Sequence, residues 1–176
     1  MNDSVNDTVH GVYVGTVKSN KLDSEGRIEI TLEGINGNAG KYRARVATLM
    51  AGPERGILFL PEEEDQVLVA FEQGCFFRPI VIGALWNKRD KPPEMSGNEN
   101  NDLKLIKTKG GNEIRIIEKN GEEKIEISSK GNIDIKGKTI TLNGDVHITG
   151  VSKLDKELEV GTGPKTVINK NEITGN

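Results

Sequence analysis

The feature that most constrains this chain is a run of aliphatic pairs spaced i and i+2 in its second half: Leu103/Leu105, Ile114/Ile116, Ile125/Ile127, Ile133/Ile135, Ile140/Leu142 and Val146/Ile148. The residues beside them are mostly Glu, Lys, Arg, Asp or Thr. Successive side chains on a strand point to opposite faces, so each pair marks an apolar face backed by a charged one. Gly131, Gly137, Gly144 and Gly150 punctuate the run every six or seven residues, and glycine permits a sharp corner between short strands. Such a strand has about two apolar side chains to bury, which is a poor core for one chain folded on itself. Two arrangements solve this. One is a solenoid of stacked turns. The other is a prism in which several chains wrap a shared axis with the pairs inward. Uniform Ile, Leu and Val with corners every six to eight residues favour a narrow three-chain prism.

Energetics point the same way. Burying an aliphatic side chain is worth about 1.5–3 kcal/mol, roughly 18–36 kcal/mol gross for these twelve positions. Most of that exists only when other chains supply the facing surface, while a lone chain bears the ordering cost. The expectation is a homotrimeric, intertwined β-helix over residues 103–176 with no stable monomeric fold. About nine strands per chain, at about 4.8 Å each, make it about 43 Å long. Over 151–160, Leu154, Leu158 and Val160 fit a strand, although Leu154 and Leu158 alone also fit one helical turn.

The first half has a different grammar. Residues 11–86 hold all four phenylalanines, both tyrosines and the single tryptophan, and residues 103–176 hold no aromatic residue. Strand signals begin at Val12, at Arg27–Leu32, at Tyr42–Leu49, at Gln66–Phe71 and at Phe77–Leu85, separated by Gly, Asn, Asp and Glu clusters. Glu72 to Cys75 reads as a hairpin loop between the last two. Five short strands predict a small closed barrel over 10–86; an OB-type barrel fits, and the count alone leaves an SH3-like barrel open. Residues 1–9 form a polar arm. Residues 87–102, with Pro92-Pro93 and an Asn-rich run, read as a linker. The fold class expected is therefore all-β: a five-stranded OB-type barrel followed by a trimeric β-prism.

Little in the chain suggests chemistry. One cysteine, Cys75, allows neither an intrachain disulfide nor a thiolate cluster. The acidic runs Glu62-Glu63-Glu64 and Glu122-Glu123 read as solvated loop charges, because a glycosidase needs two carboxylates across a cleft. Two histidines, His10 and His147, give no basis for a Ser/His/Asp site. Alternation turns Val146 and Ile148 inward and His147 outward, so His147 serves as an axial metal ligand only in an inverted register. No cofactor is expected, and the chain reads as a non-enzyme. Gly110-Gly111 and Gly161-Thr-Gly163 are corners, since no helix follows either. Residues 1–100 carry 11 Lys+Arg against 15 Asp+Glu, which argues against nucleic-acid binding by the barrel. The N-terminus lacks a signal peptide's features and the longest apolar stretch, Pro79 to Trp86, is too short to span a bilayer. The expectation is synthesis in the cytoplasm followed by assembly into an extracellular particle.

Several segments, in order, resemble a known family. They are His10-Gly-Val-Tyr-Val-Gly-Thr-Val17, Gly26-Arg-Ile-Glu-Ile30, Ala51-Gly52, Gly56 to Pro61, Glu64 to Phe71, Arg78-Pro-Ile-Val-Ile-Gly-Ala-Leu-Trp-Asn87 and Lys91-Pro-Pro93. Lys107 to Ile116 and Gly121 to Ile127 continue the match. Together they resemble the phage baseplate assembly protein V and VgrG spike families. The matching barrel positions are Gly15, Gly26, Arg27, Gly52, Pro61, Phe71, Arg78, Pro79, Gly83 and Trp86. The resemblance implies a homotrimeric, mechanical, membrane-piercing spike of a contractile phage tail, tailocin or related injection system. VgrG chains carry a large hub domain before the barrel, and here about ten residues precede it, so a separate trimeric hub protein is the expected partner. The interval 87–102 leaves no room for the lysozyme domain some spikes insert there. The His-x-His iron pair of many spike tips is absent. A PAAR-type tip protein, an effector, or a blunt end with an axial ion or water remain the options at the tip. The rival readings are a trimeric fibre or adhesin binding a surface receptor, and an OB-fold nucleic-acid module.

Overall fold

A computed structural model of the chain describes residues 9–32, 40–94 and 100–153. Residues 1–8 of the expected arm over 1–9, the middle of the linker at 95–99 and everything from 154 on, including most of 151–160, lie outside the described residues. The described chain is built from ten strands: β1 Val12–Ser19, β2 Arg27–Leu32, β3 Gly40–Val46, β4 Ala51–Gly52, β5 Arg55–Gly56, β6 Gln66–Phe71, β7 Pro79–Leu85, β8 Leu103–Lys107, β9 Glu113–Ile117 and β10 Lys124–Ser128. It divides into two compact units, Met1–Lys130 and Gly131–Asn176.

Within the first unit, β1, β2, β3, β7 and β6 close a barrel in that order. Every pairing is antiparallel except β3 with β7, which is parallel. Numbering barrel strands alone, the order is 1-2-3-5-4, an OB-like closure that removes sheet edges. Alternation in the sequence explains which side chains enter. On β2, Ile28, Ile30 and Leu32 are buried while Arg27, Glu29 and Thr31 face out. On β6, Val67, Val69 and Phe71 are buried. Val17, Ala44 and Val81 complete the core. At one end Tyr13 meets Phe71 edge-on at 5.5 Å, Phe71 stacks on Phe76 at 5.6 Å, and Tyr42 meets Phe76 edge-on at 5.0 Å. These offset and T-shaped contacts suit the aromatic quadrupole.

Four of the expected strands coincide closely with β1, β2, β6 and β7. The third is shorter than expected. It stops at Val46, and residues 47–49 turn out into a projecting arm. There the Thr48 hydroxyl donates to the Ile57 carbonyl (2.6 Å) and the Ile57 amide to the Met50 carbonyl (3.1 Å). β4 and β5 form the hairpin at its end, with Pro53 and a left-handed Glu54 (φ 54°) in the turn. Proline first and a positive φ second is the type II pattern.

Three strands, β8, β9 and β10, form a separate antiparallel sheet with β9 in the middle. In the second unit, the described residues 131–153 hold no strand, although the spacing predicts several there. Their side chains are all exposed. The physical reason is local: segments of six or seven residues between glycines find no partner strand in a single copy, and an isolated short strand is not stable in water.

Candidate assembly surfaces

The β8–β10 sheet is sorted by its turns. The Thr108 amide donates to the Asn112 carbonyl and the Gly111 amide to the Thr108 carbonyl, with Gly111 at φ 84°. The second turn is closed by the Glu122 amide on the Lys119 carbonyl, with Gly121 at φ 80°. Both positive values are where glycine is tolerated at no steric cost. These turns fix a register in which Ile106 faces Ile114, Ile127 faces Ile114, and both Lys104 and Ile125 face Ile116. Directly opposed residues share a face. One side of the sheet therefore carries Ile106, Ile114, Ile116, Ile125 and Ile127, all exposed, with Ile125 at 69% and Ile127 at 60%, together with Lys104, which pairs with Glu118.

The other side is ionic. Lys107 pairs with Glu113 at 2.6 Å, Arg115 with Glu113 at 3.1 Å, and Lys124 with Glu126 at 2.8 Å. Arg115 also reaches Glu94 at 3.0 Å, between β7 and β8. Bonding from the Lys107 ammonium, then from Arg115, holds the Glu113 carboxyl below its usual range. Glu94, then Glu113, raises Arg115. The expected core pair Leu103/Leu105 lies on this ionic side, opposite Ile117 and Arg115 respectively, and Ile106, which the pairing rule passed over, takes the isoleucine side. The text Leu-Lys-Leu-Ile-Lys is ambiguous in period two, and the Thr108–Asn112 turn decides it. Of the other expected core positions, Ile114, Ile116, Ile125 and Ile127 are brought together. Ile133, Ile135, Ile140, Leu142, Val146 and Ile148 are each exposed in the second unit.

The barrel motif residues have identifiable tasks. Gly15 is buried, and a Cβ there would lie 2.9 Å from the Thr31 carbonyl oxygen and 3.1 Å from Leu32. Gly26 sits at φ 73° in the turn before β2. That turn is held by Asp23, whose carboxylate accepts from the Arg27 amide (3.0 Å), the Glu25 amide (2.9 Å) and the Arg27 guanidinium (2.9 Å). The Arg27 amide is the largest of the influences that bring the Asp23 carboxyl down to about 2. Pro79 starts β7 buried, and Phe71 belongs to the core. Gly52 shapes the arm hairpin, and Pro61 accepts at its carbonyl from the Asn20 side chain (3.2 Å). Gly83 lies just past a bulge in the β6–β7 pairing. Arg78 and Trp86 are exposed. After β7, Asn87 to Asp90 form a closed turn in which Asn87 Oδ1 accepts from the Arg89 and Asp90 amides and Arg89 donates to the Glu64 carbonyl.

Open depressions occur on the barrel among the described residues. One, of about 450 Å³, is lined by Thr16, Glu64, Gln66, Asn87, Lys88 and Arg89. Another, of about 310 Å³, is lined largely by apolar residues around Val46, Phe59, Val81 and Gly83. Glu62 pairs with Lys109, Glu64 with Lys18 and Glu122 with Lys119. Among the described residues no three His, Cys, Asp or Glu side chains are grouped to hold a metal, and His147 is exposed. No helix among them is long and apolar enough to cross a membrane.

The barrel's strand order is that of an OB-like domain. Residues 13–86 match the family model of the type VI secretion system/phage-baseplate injector OB domain. It is 32% identical over 113 residues to the type VI secretion system spike protein VgrG1b of Pseudomonas aeruginosa, a stretch that is 60% of this chain and 15% of that protein. It is 33% identical over 99 residues to VgrG1c (52% and 14%) and 33% over 97 residues to VgrG1a (51% and 15%), both of the same organism. The matches thus cover only 14–15% of the length of these relatives. These three relatives are spike proteins of the type VI secretion system.

Proposed function

We propose that the chain is the central spike of a contractile phage tail, a tailocin or a related injection system, and that it works mechanically rather than as an enzyme. The observation that carries this reading is the five-isoleucine face of β8–β10 together with the exposed aliphatic pairs of 131–150. A soluble monomer rarely leaves so many large aliphatic side chains in water. In the proposed homotrimer, three such faces meet at a common axis and the pairs from Ile133 to Ile148 continue it as an intertwined β-prism. The ionic face, with Arg115 among Glu94, Glu113 and Glu126, then lies outside. Charges of both signs there discourage edge-to-edge association. Stiffness comes from continuous hydrogen bonding and a dry, close-packed interior.

The barrels dock on a trimeric hub, supplied by a separate protein, and the prism points at the target membrane, which it crosses when the sheath contracts. A PAAR-type tip protein or an effector completes the tip, and the particle acts outside the cell that made it. Nucleic acid has no part in this reading. The test is analytical ultracentrifugation of the purified chain, with metal analysis, followed by co-expression with tail-tube and hub proteins. A trimer that co-purifies with the hub is expected. A folded monomer refutes the spike, and a trimer that ignores the hub yet binds a glycan moves the assignment to a receptor-binding fibre.

A further inference from the structure

The barrel's outer surface is divided by chemistry. On β2 and β3 it is ionic, with Glu29 paired to Lys41 at 3.0 Å and to Arg43 at 3.5 Å. On β1, β6 and β7 it is aliphatic at the end that carries Val12, Val14, Ala70 and Ile80, and Lys18, exposed at the far end of β1, pairs with Glu64 at 2.9 Å. Since Val67, Val69 and Val81 point into the core, alternation and the register of these strands turn Val12, Val14, Leu68, Ala70 and Ile80 outward. The extra residue of the β6–β7 bulge, Ile82, is exposed beside them. Barrels of soluble proteins normally keep their outer face polar.

A second apolar surface is the arm, residues 47–59. Every residue in it is exposed, including Leu49 at 93%, Leu58 at 74% and Phe59 at 67%, and none belongs to the barrel core. Its only charges, Glu54 and Arg55, cancel. The arm is hydrogen-bonded into a hairpin yet presents Leu49, Met50, Ile57, Leu58 and Phe59 to solvent.

We infer that the arm of one copy seats on the β1–β6–β7 face of the next, so that three barrels close a head-to-tail ring. This rests on the trimer proposed above. Charge selects the partner surface: an apolar arm with no net charge fits the aliphatic end of the β1–β6–β7 face, away from Lys18, and would strand the ions of the β2–β3 face. Size selects the occupant. The arm has thirteen residues, short of the roughly 20–30 per side of a stable stand-alone interface. A free partner protein would be held poorly by it. A second copy already tethered through the shared sheets is present at high effective concentration and needs no more. Two different patches on one chain make a heterologous contact, which closes when the rotation suits three copies.

The test uses the full chain with Cys75→Ser, adding Leu58→Cys with Val14→Cys, or Phe59→Cys with Leu68→Cys as a second pair. After mild oxidation or a short bismaleimide, products are resolved under full denaturation without reductant, beside light scattering of the untreated protein. Covalent dimers and trimers from at least one double variant, absent from all four single variants, are expected. Light scattering that reports a trimer while neither pair cross-links overturns the arm contact and leaves the spike reading standing. A monomer by light scattering overturns both.

Discussion

Ile125→Ala separates a chain that works alone from one that works in threes. In a single copy Ile125 is 69% exposed on an outer strand of its sheet. Truncating a side chain that stays in water changes stability by about 0.5 kcal/mol or less. If the isoleucine face is buried between copies, the same truncation opens a cavity in a closed core and costs about 2–5 kcal/mol per copy, or roughly 6–15 kcal/mol per trimer. Ile30→Ala, at a fully buried barrel position, serves as the control and is costly in either case. Thermal unfolding followed by circular dichroism over a range of protein concentrations reads the difference, because assembly makes the midpoint concentration-dependent. The expected result is a large loss for Ile125→Ala and a midpoint that rises with concentration for the parent. A parent midpoint independent of concentration, with Ile125→Ala unfolding alongside it, would refute the reasoning.

Two further expectations concern the barrel. Asp23 titrates at about 2 in the fold against about 3.9 in an unfolded chain, so its stabilising contribution is complete above about pH 4 and disappears as pH falls through about 2. Asp23→Asn is therefore expected to weaken the barrel in urea at neutral pH and to match the parent near pH 2; an unchanged gap at acid pH contradicts the assignment. Gly15→Ala places a methyl 2.9 Å from the Thr31 carbonyl oxygen and is expected to cost about 1–3 kcal/mol by overpacking, read as a lower urea midpoint with unchanged slope.

Much of the barrel was legible from residue order because its strands alternate cleanly. Arg-Ile-Glu-Ile-Thr-Leu admits one inward set, and the structure buries Ile28, Ile30 and Leu32. The arm was not legible. Leu49, Leu58 and Phe59 are types that normally enter a core, and composition alone gave no sign that the backbone would carry them outward past Val46. The outer aliphatic face was hidden for a related reason: Val-Leu-Val-Ala-Phe at 67–71 is apolar at every position, so period two marks no preferred side.

By itself the sequence determined the all-β class, most of the barrel strands and the two-faced character of β9 and β10, because backbone alternation turns a pattern of side chains directly into faces. Only the tertiary structure decided the strand order that closes the barrel, the side on which Leu103, Leu105 and Ile106 fall, and the exposure of the 47–59 arm. Those outcomes depend on turn geometry and on contacts between residues far apart in the chain. A one-residue change of register exchanges the faces without altering a single letter of the strand.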